Sequence, residues 1–336
     1  MTERPLVTLD EIRAAHQRIA GVAVRTGLHR LQPQRMVAAG FHAISALPEI
    51  WLKAESEQPI GSFKLRGAYN KIASLTQDEL KRGVITYSSG NHAQGVAFAA
   101  RALGAKAVIV MPENAPRIKR EATLALGGEV VLVGPASTER KLRAEELVAA
   151  HGYVMVPPYD DEAIIAGQAT CGLEITEQMP DADLVIAPVS GGGLLGGVAT
   201  AVKLAAPQMR VWGAEPELAA DATQSFHDKQ LVEWQGSQTT RTIADGLRTQ
   251  SLGERNFQHI LRYVDGILTV TEEEILQATR VFLMATDIVA EPSGAVTLAA
   301  ALFHANEMPA ARKIVVVVSG GNIDPALREE LVMAQA

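Results

Sequence analysis

The sequence predicts an α/β fold built on two open, twisted, mostly parallel sheets. From Val84 onward, short apolar runs alternate with helical stretches about every dozen residues, the pattern of βαβ units. Three glycine turns, "SSGNH", "SGGGLLGG" and "SGGN", stand where apolar runs end. With 336 residues, 47% of them apolar, the chain has material for a sizeable core and for two domains or one large one.

The elements follow in order. Thr8 and Glu11 form a capping box that opens the first helix. In "GSFKLRGA", Gly61 to Ala68, a lysine follows a Pro-Ile-Gly loop. Leu65, Ala68, Tyr69 and Ile72 then supply the apolar stripe of a helix. "VITYS" is a strand, and the turn "SGNH" leads into the helical "AQGVAFAARALG". Strand "AVIVMP", helix "PRIKREATLALGG", strand "EVVLVG", helix "STERKLRAEELVAAHG" and strand "YVMVP" come next. A helix runs from about Glu162 to Gln178, and "DLVIAPV" is a strand that ends in the second glycine turn. That turn opens the helix "LLGGVATAVKLA", which precedes the strand "RVWGAEP". Residues 217–255 are less regular; "YVDGILTV" follows as a strand. Thr271 and Glu274 cap the first of two helices, and "KIVVVVSGG" closes the pattern as a fully buried strand. Residues 83–158 are expected to form a small α/β domain inserted in a large one made of 1–82 and 159–336.

Composition narrows the function. The net charge is −7, and no basic run interleaves with aromatics, so nucleic acid is not an expected partner. The single cysteine, Cys171, cannot form an intrachain disulfide, which fits a reducing compartment. The first residues hold no apolar signal core, and the longest aliphatic run is Ile314 to Val318, so neither a signal peptide nor a membrane span is expected. These readings point to a cytoplasmic protein acting on a small molecule.

Lys64 is either a surface charge in an apolar setting or a nucleophile placed there, since lysine is among the residues least often buried. "SGGGLLGG" ends a strand and opens a helix, where backbone N–H groups and the helix N-terminus form a phosphate site. A tight turn alone would need one glycine, because each further one costs chain entropy. Gly191, Gly193 and Gly196 with Glu215 also fit a dinucleotide-binding fingerprint, which would make the chain an oxidoreductase. The turn from Ser88 to His92 adds hydroxyls, a carboxamide and an imidazole to its amides, a set suited to an amino-acid carboxylate. His92 is equally readable as a loop histidine beside a helix cap. "SGGN", Ser319 to Asn322, ends the last strand. Ligands of open α/β sheets sit beyond the carboxyl ends of strands, so the three turns are expected to converge.

These motifs, with "EPELAAD", "TIADGLRT" and "EPSGA", resemble in order the fold-type-II, tryptophan-synthase-β-like pyridoxal phosphate (PLP) enzymes. Within them the chain is similar to the serine/threonine dehydratase and serine racemase branch, and the likeness spans nearly the whole chain. The resemblance implies that Lys64 forms the Schiff base with PLP and later moves the α-proton. It places Phe63 against the cofactor ring, Asn91 on the ring's 3-hydroxyl oxygen, and the amides of Gly191, Gly192, Gly193 and Leu194 on the phosphate. Ser319 would face the pyridine nitrogen, with Glu291 bordering the cofactor. Ser88, Ser89, Asn91, His92 and Arg140 would receive the substrate carboxylate, with Asp245 nearby. Ser89 would be the second acid/base group, on the face opposite Lys64.

A serine at the pyridine nitrogen cannot hold a charge there, which favours β-elimination or reprotonation over transamination. In "KAESEQPIGSFK", Ser56 stands where the branch commonly has Asn, which bears on substrate preference. Glu215, the Ala219 carbonyl and Asp221 match the branch's cation site, and three oxygen ligands suit Mg²⁺, Mn²⁺ or Ca²⁺. Without the resemblance the same residues read as a solvated acidic loop. The expectation is a homodimeric ammonia-lyase acting on L-serine, L-threonine or a 3-hydroxyaspartate, or else a serine racemase with dehydratase side activity.

Overall fold

The computed structural model describes residues 5–41, 48–88, 90–115, 117–134 and 137–333, the side chains of 118, 137 and 138 excepted. Ten strands appear among them: β1 (Leu28–Arg30), β2 (Glu49–Ala54), β3 (Val84–Tyr87), β4 (Ala107–Pro112), β5 (Glu129–Val133), β6 (Val154–Met155), β7 (Leu184–Pro188), β8 (Arg210–Pro216), β9 (Gly266–Val270) and β10 (Lys313–Val318). They form a six-stranded sheet ordered β1-β2-β10-β7-β8-β9 and a four-stranded sheet ordered β5-β4-β3-β6. All pairings are parallel except β1 with β2. The strands of the smaller sheet lie between residues 84 and 155, within the stretch read as an insertion.

β10 shows why "IVVVV" reads as buried. Side chains alternate across a strand, so Ile314, Val316 and Val318 enter one apolar cluster while Val315 and Val317 enter another on the opposite face. The helix Pro292–Phe303 contributes to the first cluster, and the helices Glu162–Gln178 and Gly193–Ala205 contribute to the second. Register then places the site. Val318 pairs with Ala54, and Val316 pairs with Ile186. β2, β10 and β7 therefore end side by side, and the chain leaving each enters the same region.

The capping boxes at Thr8 and Thr271 form as the sequence predicts, and a third, at Thr76 with Glu79, opens the helix Gln77–Arg82. Two features differ from expectation. β1 and β2 add an antiparallel edge in a region read only for its helices. β6 is two residues long rather than the whole of "YVMVP", because Pro157 and Pro158 lack the N–H a ladder needs.

The helix Lys64–Ala73 is fixed by charge as well as by its apolar stripe. Arg66, fully buried, donates to both oxygens of Glu55 at 2.7 and 2.8 Å and to both oxygens of Glu174 at 2.7 and 2.9 Å. Lys53, also fully buried, donates to Glu174 at 2.6 Å and to the Thr26 carbonyl at 2.9 Å. Two cations thus meet two carboxylates, joining the end of β2, the start of the Lys64 helix and the C-terminal end of the helix Glu162–Gln178.

Removing one partner of such a set strands a buried charge, at a cost of about 3–5 kcal/mol. Burial pushes Glu174 up, but His16, Arg66 and Lys53 outweigh it and hold the carboxyl down to about 2 from an ordinary 4.5. A depressed carboxyl stabilises the fold above its ordinary value, and that contribution is lost as pH falls through its folded one. Wild-type stability should therefore fall between about pH 4.5 and about 2. In Glu174→Gln, stability at neutral pH should drop by about 3–5 kcal/mol and that part of the acid dependence should vanish, as urea melts across pH would reveal.

Candidate active site

Two of the three glycine turns, those after β3 and β10, meet the segment that precedes Lys64, and the turn after β7 reaches Lys64 only through the segment 156–161. The Phe63 N–H donates to the Ser319 carbonyl at 3.0 Å, and the Gly321 N–H donates to the Gly61 carbonyl at 2.9 Å. Asn322 Nδ2 donates to the Ile60 carbonyl at 3.0 Å and to Asn91 Oδ1 at 2.7 Å. Asn91 Nδ2 donates to Glu291 Oε1 at 2.7 Å. Asn91 opens the helix Asn91–Ala102 directly after the turn that follows β3. Ser88 holds that turn by accepting from the Gly90 N–H at 3.3 Å. Ser89 lies outside the described residues.

Lys64 begins its helix at the centre of this junction. Its Nζ donates to the Pro158 carbonyl at 2.6 Å and lies 5.2 Å from the centre of the Phe63 ring. Burial lowers its pKa from 10.5 to about 8. The amine is thus partly neutral near physiological pH, as a nucleophile or base must be.

The glycine turn after β7 has a reason for each of its first two glycines. Gly192 sits at φ +90°, a left-handed conformation that side chains rarely adopt, just before the helix Gly193–Ala205. A Cβ on Gly191 would lie 2.5 Å from the Tyr159 ring, so the aromatic face rests on bare backbone. Asn256 Nδ2 and the Gly253 N–H both hold the Gly191 carbonyl, at 2.6 and 3.1 Å. That carbonyl is turned away, and the amides at the start of the helix have no partner within it, an arrangement made for an anion.

Sequence reasoning missed the segment 156–161, "VPPYDD", which ties these parts together. The Val156 carbonyl faces His92 Nε2 at 3.0 Å, the Pro158 carbonyl takes Lys64, and Tyr159 covers Gly191. Asp160 Oδ1 accepts from the Arg255 N–H at 2.9 Å, and Asp161 Oδ1 accepts from the Ala163 N–H at 2.9 Å, each at a helix start. The available signal was a pair of prolines ending a strand, followed by two carboxylates suited to capping.

Other candidates fall as follows. Glu291 is buried at the start of the helix Pro292–Phe303, and burial with the charge of Asp245 pushes its carboxyl up to about 7. Asp245 forms an ion pair with Lys119, which comes from the helix after β4 and was not among the residues singled out. Arg140 is half-buried in the helix Ser137–His151, and burial lowers its pKa. Ser319 is buried, its Oγ 3.5 Å from the Ser293 carbonyl.

Glu215, the penultimate residue of β8, is fully buried, and Asp221 opens the helix Asp221–Asp228 after the buried Ala219. Glu215 Oε1 accepts from the Thr223 N–H at 2.6 Å. Glu215 Oε2 and Asp221 Oδ2 are buried with no hydrogen-bond partner among the described residues. Burial and the charge of Asp221 raise Glu215 well above the carboxylate range, and burial raises Asp221 to about 7. A solvated acidic loop does not have these properties, nor does a buried carboxylate held by Thr223 suit a ribose. Among the described residues no three His, Cys, Asp or Glu side chains cluster as a metal site. A cation here would need the Ala219 carbonyl and water.

Residues 36–320 match the sequence family described as pyridoxal-phosphate dependent enzyme. An L-threonine ammonia-lyase of Thermotoga maritima is 40% identical over 328 residues, 97% of this chain and 78% of that protein. A serine racemase of Schizosaccharomyces pombe is 38% identical over 319 residues, 95% of each chain. The crystal structure of maize serine racemase superposes with a TM-score of 0.89 at 34% identity, covering 98% of each chain.

The contact between Gly191 and Tyr159 is open to test. Gly191→Ala should weaken pyridoxal phosphate binding by about tenfold or more, the factor set by a clash of about 1.4 kcal/mol. The double variant with Tyr159→Ala should recover most of that loss. Calorimetric titration of the cofactor into Gly191→Ala, Tyr159→Ala, the double variant and wild type measures the coupling.

Proposed function

This chain belongs to the pyridoxal-phosphate-dependent enzyme family, and on that premise we propose that it is a hydroxy-amino-acid ammonia-lyase. It eliminates the β-hydroxyl of a substrate such as L-threonine or L-serine, and the released enamine hydrolyses to a 2-oxo acid and ammonia. The observation that carries this reading is Lys64, its pKa lowered by burial, where the turns after β3 and β10 meet. The turn after β7, covered by Tyr159, supplies an anion cradle beside the same segment that holds Lys64.

These residues fit pyridoxal phosphate. The amides of Gly191, Gly192, Gly193 and Leu194 would hold its phosphate, Phe63 and Asn91 would lie against its ring, and Ser319 would meet its ring nitrogen. When bound, the cofactor supplies the electron sink that acidifies the substrate α-carbon. The protein supplies the rest. Neutral Lys64 takes the α-proton at Nζ, and the Pro158 carbonyl holds one of its N–H bonds. Asn91 has one amide N–H committed to Glu291 and a second left to donate. The N–H groups opening the helix Asn91–Ala102 receive the substrate carboxylate. A neutral Ser319 leaves charge on the substrate rather than the ring, which favours expulsion of a β-hydroxyl.

Likeness to a serine racemase supports a second reading, racemisation with elimination as a side activity. Ser89, to which that reading assigns the opposite-face proton transfer, lies outside the described residues. The acidic pair supports a structural divalent cation bound by Glu215, the Ala219 carbonyl and Asp221, because two buried carboxylates with idle oxygens need a positive partner. No helix among the described residues is long and apolar enough to cross a membrane; a cytoplasmic homodimer is part of the proposal.

The purified protein should carry a visible cofactor absorbance that borohydride bleaches by fixing the cofactor to Lys64. Lys64→Ala should lose elimination by at least ~100-fold. Oxo-acid release from L-threonine, L-serine and the 3-hydroxyaspartates, with chiral analysis of the remaining amino acid, separates lyase from racemase. A colourless protein that binds NAD(H) would overturn the reading.

Removing divalent cations with EDTA should lower both melting temperature and activity, with recovery on adding Mg²⁺ or Mn²⁺. Asp221→Ala should start from the lowered state and fail to recover. An unchanged melting temperature in wild type with and without cation would remove the site.

A further inference from the structure

His92 was expected to receive the substrate carboxylate, and its side chain is built for something else. The ring is buried, and its Nε2 faces the Val156 carbonyl at 3.0 Å. A carbonyl only accepts, so Nε2 carries the proton. Burial first, and then the charge of Lys64, lower the His92 pKa to about 3, so the ring is neutral with a single N–H. Its Nδ1 is therefore a bare lone pair, buried and without a partner among the described residues. Such an atom repels a carboxylate. Any carboxylate at this turn would meet the backbone N–H of residue 92, not the imidazole.

The neighbour with donors to give is Lys64. The helix Asn91–Ala102 packs on the start of the Lys64 helix so closely that a Cβ on Gly95 would lie 3.2 Å from the Lys64 carbonyl oxygen. His92 lies one turn before Gly95, on the same helix face. Both residues are also held by one short segment, His92 at the Val156 carbonyl and Lys64 at the Pro158 carbonyl. When Lys64 takes a proton it has three N–H bonds, and the Pro158 carbonyl accepts one of them. An ammonium short of acceptors and a buried acceptor short of a donor are each costly, and each relieves the other.

Resting on the elimination reading, we propose that His92 is a positioning residue for Lys64: its Nδ1 accepts a hydrogen bond from the Lys64 ammonium formed as the substrate's α-proton is removed. With the Pro158 carbonyl it stabilises that ammonium and so strengthens Lys64 as a base. The other titratable side chains of this region are Tyr159 and Asp160 on the same segment, Tyr87 at the end of β3, which feels the charge of Asp160, and Glu291, bonded to Asn91. None of them offsets the effect of burial on Lys64, which alone lowers its pKa.

The test is the pH dependence of kcat for L-threonine in the holoenzyme, whose acidic limb reports loss of the proton from Lys64 in the bound complex. Losing an acceptor destabilises the ammonium, so in His92→Leu the limb should move to lower pH and the plateau should fall by about tenfold. KM should stay within about twofold, because the imidazole does not hold the carboxylate. His92→Asn places an amide oxygen near the Nδ1 position and should keep the limb near wild type. His92→Gln, which reaches the Val156 carbonyl instead, should move it, and this pair carries the comparison if the leucine variant does not fold. Competitive acetylation of Lys64 in the cofactor-free full chain, read by peptide mass spectrometry, should give the same order of lysine pKa values. An unmoved limb in both His92→Leu and His92→Gln overturns the proposal. So does a large rise in KM with the limb in place, which would return the imidazole to the carboxylate. If wild type shows no elimination at all, the elimination reading fails, while the acetylation still decides the pairing.

Discussion

Arg66 is the constraint on which the site depends. Two residues past Lys64, its guanidinium is clamped by both oxygens of Glu55 and both of Glu174, with no exposure to water. Charge-assisted, bidentate pairs of this kind fix orientation as well as distance. They pin the first turn of the Lys64 helix to the end of β2 and to the helix Glu162–Gln178, so the backbone beneath Lys64 has little freedom. A buried network of this sort is weak evidence for added stability, since an apolar replacement often does as well. Its consequence here is geometric: the lysine stem starts from a fixed place.

The second requirement is that Lys64 be both buried and accessible to chemistry. Burial brings its pKa to about 8, and the acceptors around it decide how strong a base it then is. The segment 156–161 governs those acceptors. It exists as a loop because two prolines end β6, and its carbonyls, ring and carboxylates reach four helices and the glycine turn. One short irregular stretch thereby couples Lys64, His92, the glycine turn and the starts of two helices. Such coupling explains why the glycine turn needs its residues: Gly191 for the ring of Tyr159, Gly192 for its backbone angle.

The two carboxylates at Glu215 and Asp221 obey the opposite logic from Glu174. Glu174 meets Arg66 and Lys53 and is held low, whereas Glu215 and Asp221 are buried without a cation, and burial pushes both up, the charge of Asp221 adding to the rise of Glu215. The residue type is nearly the same, and the partner decides. Family membership and the burial of Glu215 both speak against a dinucleotide at the glycine turn.

Much of this protein is local, and what is local was legible. The alternation of strand and helix, the capping boxes at Thr8 and Thr271, and the buried run of β10 follow from periodicity and from side chains bonding neighbouring backbone. Lys64, the glycine turn after β7 and the turn after β3 could be singled out in the sequence because each is a contiguous motif. The rest depended on residues far apart in the chain. Arg66 with Glu174, Asn91 with Glu291, and Tyr159 on Gly191 meet only in the folded chain, the last two across the two sheets. The protonation of His92 could not be read from "SSGNH", where the ring looks free to bind an anion. Only the fold places the Val156 carbonyl on one nitrogen and buries the other, and those two facts set its tautomer, its charge and its part in the site.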